Sequence, residues 1–237
     1  MSADPLGLTE DVAAATARLL DTVHRLDDAA VSGPSRLPGW TRGHVLTHLA
    51  RNADGCVNLL TWARTGAETP QYASLAQRAA DIDAGAGRSS AAQAADVEQS
   101  AGRLTEAIAA MPPAAWTTIV RWTNGTEAPA ARVVWSRLRE VELHHVDLGT
   151  GYGPADWPEP FTLHMITSLA KDFAGREDGP RALLRAPEVG HDVPLGADSP
   201  TITGPARSVV AWLTGRSTGA DLVVEPAGPL PAVPPLG

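Results

Sequence analysis

Cysteine occurs only once, at Cys56, which excludes an intrachain disulfide and any metal site made of several thiolates. A lone thiol without a disulfide fits a reducing compartment, so a cytoplasmic location is expected. Lysine also occurs once, as Lys171, beside 18 arginines. Acidic residues outnumber basic ones, 27 to 19, for a net charge of −8. A surface of that sign repels phosphate backbones and speaks against nucleic acid as a partner. No stretch reaches the ~18 apolar residues of a membrane span. Residues 1–8 lack the basic segment and apolar run of a signal peptide. Phenylalanine and tyrosine are scarce, two of each against seven tryptophans, so most aromatic packing must come from indoles.

What is present is a chain of 237 residues with 43% hydrophobic content. That is enough to bury one large core, or a medium and a small one, and it excludes wholesale disorder. A monomer is the expected state.

The first 150 residues read as helical. Thr9 is placed to cap a helix with Glu10 and Asp11 in its first turn, and Val12, Leu19, Val23 and Leu26 follow at helical spacing. Ser32 to Ser35 and Pro38-Gly39 interrupt. Thr41 caps a second helix running to about Ala63, and a short helix spans Tyr72 to Ile82. Ser90 opens a third long helix, in which Ala94, Val97, Ala101, Leu104, Ile108 and Met111 mark a buried face. Thr118 to Val120 with a turn at Asn124-Gly125 predict a hairpin. A fourth long helix covers roughly Pro129 to Leu148. Four long helices with modest loops predict a four-helix bundle over residues 1–150.

After Gly149 the composition shifts, with Gly151, Gly153, Pro154, Pro158 and Pro160 forming a linker. Residues 151–237 read as a small α+β domain: helices at 161–173 and 206–214, and strands at 181–186, 201–203 and 221–225. A Pro-rich tail begins at Pro226 and should lie extended along the surface. The fold class is therefore mainly α.

The chemistry concentrates in the fourth helix. Val134, Leu138, Val141, His145 and Leu148 share one face, while Trp135, Leu143 and Val146 make other sides apolar, so this helix should be buried. A narrow strip carries Arg137, Glu140, His144 and Asp147. Glu140 and His144 stand one turn apart. A buried, unpaired carboxylate there would cost several kcal/mol, roughly, unless something such as a metal ion compensates it. The second helix offers His44 and His48, also four apart, and either is able to add a third ligand. Two histidines and one carboxylate leave a tetrahedral position open, as catalytic zinc requires. Gly55 lies on the face of His48, two turns on, and is expected to leave room beside the ion. Cys56 reads as a small core residue and not as a nucleophile. Trp40 and Trp157, beside Pro and Gly, read as loop pins.

The segment from Leu37-Pro38-Gly39-Trp40 through His44 and His48 to Ala53-Asp54 resembles the N-terminal signature of the mycothiol-dependent maleylpyruvate isomerase family, within the DinB-like metalloproteins. Gln71-Tyr72-Ala73-Ser74 through Arg78, Asp81 and Ile82, then Trp135 through Leu148, and finally Ala211-Trp212-Leu213-Thr214-Gly215-Arg216 are similar to further family blocks. The resemblance implies a DinB-like four-helix domain followed by a small α+β domain of the sterol-carrier kind. It implies a zinc site of two histidines and one glutamate, which fall on His48, Glu140 and His144, choosing His48 over His44. It also implies a catalytic arginine in the C-terminal domain, at Arg216 with Arg207 as its rival. Arg78, in the isomerase-like block, is expected to bind the thiol cofactor.

The implied reaction converts maleylpyruvate to fumarylpyruvate in gentisate breakdown, with zinc and mycothiol as cofactors. Thiolate addition to the activated double bond, rotation about the resulting single bond and elimination give the trans isomer. Coordination lowers a thiol's pKa, and a guanidinium suits a dicarboxylate. The same machinery would serve a mycothiol S-transferase, and a non-catalytic metal- or ligand-binding module is the alternative from outside enzymology.

Overall fold

The computed structural model describes residues 5–235. The chain divides into two compact units, Met1–Thr150 and Gly151–Gly237.

The first unit is helical. Its elements are α1 (Pro5–Val23), α2 (Asp28–Ser32), α3 (Arg42–Thr65), α4 (Leu75–Ala86), α5 (Ser90–Ala109) and α6 (Arg132–Asp147), with a hairpin of β1 (Ile119–Arg121) and β2 (Glu127–Pro129) before α6. The four long helices α1, α3, α5 and α6 form the bundle: α3 packs on α5 and α6, and α1 on α6 and α5. Leu19, Leu46, Leu49, Leu59, Val97 and Val141 fill its centre. The first helix starts earlier than Thr9, at Pro5. Proline suits a first helical turn because it has no N–H to leave unsatisfied, so Thr9 lies inside the helix instead of capping it. The short helix begins at Leu75, where the Ser74 side chain accepts from the Gln77 N–H, and it runs on to Ala86.

Helices α3 and α6 run antiparallel and are tied in register. Arg42 Nε donates to Leu148 O at 2.7 Å, and Arg36 N–H donates to Asp147 O at 2.8 Å. Further along, Arg137 Nη1 donates to Leu49 O at 2.7 Å and Asn52 Oδ1 at 2.8 Å. Between these two sets of ties, His48 faces Glu140 and His144. On its other side α6 is tied to α1, with Arg18 against Glu142 at 2.6 Å and Thr22 Oγ1 against His145 Nε2 at 2.8 Å. Buried polar groups on an apolar helix need such partners, and these fix its rotation.

The second unit holds α7 (Glu159–Ala174), β3 (Ala182–Arg185), β4 (Val193–Thr203), α8 (Ala206–Leu213) and β5 (Val223–Glu225). The sheet order is β3-β4-β5. The C-terminal part of β4 pairs with β3 in parallel (Leu183–Thr201, Leu184–Ile202, Arg185–Thr203), while its N-terminal part meets the same strand at Val193, Pro194 and Leu195. Helices α7 and α8 pack together, with Met165, Leu169, Val209 and Leu213 buried. The N-terminal part of β4, rich in Gly and Pro, carries no strand pattern in the sequence, and only Thr201 to Thr203 is expected there.

Candidate functional site

His48, Glu140 and His144 converge, each offering one ligand atom within 4.8 Å of the others. His48 Nε2 lies 2.8 Å and His144 Nε2 3.4 Å from Glu140 Oε2. The two imidazoles stand edge to face, 4.5 Å between centroids. Access is graded: the His48 side chain is 4% exposed, His144 17% and Glu140 28%. The site is rooted in the core at His48 and opens on the α6 side.

Each ligand-type side chain has an outer partner. His144 Nδ1 lies 2.8 Å from Asp147 Oδ2, a contact in which the ring donates. An Nδ1–H held this way turns Nε2 toward Glu140, the carboxylate–histidine pattern found behind metal ligands. Asp147 is therefore part of the site, a role that its place on the polar strip signalled without naming. His48 Nδ1 lies 3.0 Å from Arg78 Nη2. Arginine only donates, so Nδ1 accepts, and the proton on Nε2 points to Glu140. Arg78 also lies over the Tyr72 ring at 5.6 Å.

The electrostatics follow. Burial drives the His48 pKa down to about 4, helped by the neighbouring His144, against the opposing pull of Glu140. Burial would raise the Glu140 carboxyl, but hydrogen bonds from His144 and His48 outweigh it and hold it well below the usual carboxylate value. Burial likewise opposes charging of His144, yet Asp147 and Glu140 raise its pKa above the ordinary 6.5. The arrangement is an anionic carboxylate between two imidazoles, a set of donors that a divalent ion would satisfy.

The other expectations divide. His44 does not join the cluster: its Nδ1 accepts from the Thr41 N–H at 3.1 Å, closing a capping box at the start of α3. Thr41 as N-cap puts His44 at the third helical position, and that was the readable signal against it. Gly55 leaves no room beside an ion, because a Cβ there would come within 3.0 Å of Gln71 Cγ and of Tyr72 Cε1. Its space belongs to those two side chains. Cys56 is buried, and burial pushes its thiol up to about 12. Trp40 does more than pin a loop: it stacks on His44 at 6.0 Å and meets His48 edge-on at 5.9 Å. Trp157 packs against Phe161. Arg216 lies in the second unit, where Gly215 at φ 73° turns the chain out of α8 and Arg216 Nη1 donates to Thr214 O at 2.6 Å.

The family model for the mycothiol maleylpyruvate isomerase N-terminal domain matches residues 12–149, and the model for the C-terminal domain of the same family matches residues 155–235. This chain belongs to the mycothiol-dependent maleylpyruvate isomerase family. A crystal structure of a mycothiol-dependent maleylpyruvate isomerase superposes with a TM-score of 0.90 at 27% identity, covering 97% of both chains. A histidine-to-alanine mutant of a mycothiol-dependent maleylpyruvate isomerase gives 0.89 with the same identity and coverage. No curated protein matches. Within the family fold, the three converging side chains come from two of the four blocks that carry the resemblance in the sequence, one on α3 and one on α6.

Proposed function

We propose that this chain is a metal- and mycothiol-dependent isomerase that converts maleylpyruvate to fumarylpyruvate. The observation that carries the reading is the convergence of His48, Glu140 and His144 in a chain of this family. Both Nε2 atoms and Oε2 are the donors that would hold zinc, with a fourth position left for an exogenous ligand. A divalent ion held there would supply the charge that keeps a bound thiol as thiolate at neutral pH.

The chain's own residues do the rest. Asp147 holds the His144 ring in the orientation and tautomer that a ligand needs. Arg137, bound to Leu49 O and Asn52, braces α3 against α6 beside His48. If His48 Nε2 were to hold an ion, the ring's proton would reside on Nδ1, which would then not accept from Arg78. The guanidinium is then available to an anionic or polar group of the thiol cofactor. Arg216 is assigned a substrate carboxylate, an assignment supported by its place in the Ala211 to Arg216 motif and by the fit of a planar guanidinium to carboxylates. Cys56 has no part, since the nucleophile is an external thiol.

The experiment is metal removal and return. Protein stripped by a chelator should fail to isomerise maleylpyruvate in the presence of mycothiol, and zinc should restore it. His144→Ala protein should hold no stoichiometric metal and regain nothing. Full activity in metal-free protein, or unchanged metal content in the variant, would overturn the reading.

A further inference from the structure

The loop between α3 and α4 is fastened at one residue. Gln71 is buried. Its Oε1 accepts from the Thr123 N–H at 3.2 Å and from the Thr123 hydroxyl at 3.3 Å, and its carbonyl accepts from Asn58 Nδ2 at 3.2 Å. The hairpin turn and α3 therefore hold Gln71 from two sides. The next residue, Tyr72, is seated on α3 where Gly55 has no side chain: a Cβ there would come within 3.0 Å of Tyr72 Cε1 and 3.1 Å of Cζ. A ring pressed this closely on a helix backbone has little freedom to shift.

Arg78 stands over that ring, its guanidinium carbon 5.6 Å from the centroid, within the range of cation–π attraction. The same guanidinium reaches His48 Nδ1 at 3.0 Å through Nη2. No carboxylate among the described residues forms an ion pair with it. A divalent ion on His48, Glu140 and His144 would repel this cation, so an uncharged group has to keep it at the cluster. The Tyr72 phenol is such a group: burial pushes it up to about 12, so it meets the guanidinium as a neutral ring and not as a phenolate. An arginine free to turn loses much rotamer freedom when it grips a ligand, whereas one held over a fixed ring has lost that freedom in the fold already.

We propose that Tyr72 is the positioning residue for Arg78: its ring, fixed by Gly55 and Gln71, holds the guanidinium beside the metal-donor cluster, where it donates to an acceptor on the thiol cofactor. Tyr72 takes this role within the isomerase reading, in which Arg78 serves that cofactor. A tyrosine that merely fills the space at Gly55 would act through folding, with or without an arginine above it. A tyrosine that positions Arg78 matters to the thiol only while Arg78 is present.

The test is a double-mutant cycle, read by calorimetric titration of the zinc-loaded full chain with mycothiol in the absence of maleylpyruvate. Tyr72→Leu, which keeps an apolar group against Gly55, should weaken mycothiol about tenfold at unchanged zinc content, the order of a sheltered cation–π contact. Arg78→Gln should weaken it at least as much. Adding Tyr72→Leu to Arg78→Gln should change the affinity by less than about twofold, because the ring then has no cation to hold. Tyr72→Phe, which keeps the ring and removes only the hydroxyl, should bind within about threefold of the wild type, and it carries the test alone should the leucine variant not fold. Losses that add in the double variant would overturn the proposal. So would unchanged affinity in Tyr72→Leu or Arg78→Gln, or a phenylalanine variant weakened about tenfold. In each of these cases the wild type still binds the thiol and the isomerase reading stands. Zinc-loaded wild type that binds no mycothiol at millimolar concentration would overturn that reading, and the role of Tyr72 with it.

Discussion

His48 shows how one residue's surroundings decide its chemistry. Buried among imidazole and guanidinium neighbours, it stays neutral in the fold down to about pH 4, whereas in the unfolded chain it takes a proton near 6.5. Between those values the unfolded state binds more protons, so the metal-free protein should gain stability as pH rises from about 4 to 6.5. Glu140, held low, acts in the same direction at the acid end, its contribution being lost as pH falls below the ordinary carboxylate value. His144, held high, acts oppositely: its contribution is complete below 6.5 and is lost as pH rises through its elevated folded value. Urea midpoints of chelator-treated protein should therefore climb across the acid range to near 6.5 and decline above it as His144 loses its proton, and His48→Gln should flatten the climb. A variant with the wild-type slope would contradict this. Cys56 gives a second residue-scale expectation. With its thiol pushed up to about 12, native protein at pH 8 should not react with a disulfide reagent, while protein in urea should release one thiol per chain. Fast labelling of the native state would refute it.

At the scale of elements, close approach matters more than propensity. A Cβ on Gly43 of α3 would collide with the Ala86 carbonyl at the end of α4, and one on Gly85 would come within 2.5 Å of Thr47 Cγ2. These two glycines let α4 lie against α3, which brings Arg78 to His48. Gly43→Ala should cost about 1–3 kcal/mol in unfolding free energy, the usual penalty of overpacking, while Gly102→Ala, which meets open space, should be neutral or stabilising. Equal effects in chemical denaturation would refute the packing argument. The same helices show what a sequence discloses. The long ones were legible because Val12, Leu19, Val97, Leu104, Leu138 and Val141 recur at helical spacing and are all buried. Histidine choice was not legible from spacing, since His44 and His48 form an ordinary i, i+4 pair; the capping bond of His44 separates them. The space at Gly55 is filled by Gln71 and Tyr72, which lie in the loop before α4, whereas the sequence places Tyr72 inside that helix. The first half of β4 escaped for a related reason: Pro194 and Gly196 break the alternation that marks a strand.

For the whole molecule, the proposed function assigns the two units separate tasks: the metal donors and Arg78 are assigned to the helical unit, and Arg216 to the α+β unit. Arg216→Ala should leave metal content and thermal stability intact while lowering catalytic efficiency about a hundredfold, as loss of a charge-assisted contact to substrate would. Lysine at that position should rescue only in part, because it lacks the bidentate fork. Near-normal kinetics in the alanine variant would leave Arg216 with the modest task of complementing the C-terminal end of α8 and move the search to Arg207. In the proposed reaction the thiol acts as a catalyst and returns unchanged. The direct measurement follows maleylpyruvate and fumarylpyruvate by proton NMR with a small fixed amount of mycothiol and titrates free thiol before and after. Complete conversion to the trans isomer over many turnovers per mycothiol is expected, with all the thiol recovered. Loss of one thiol for each maleylpyruvate consumed would mark a transferase and contradict it.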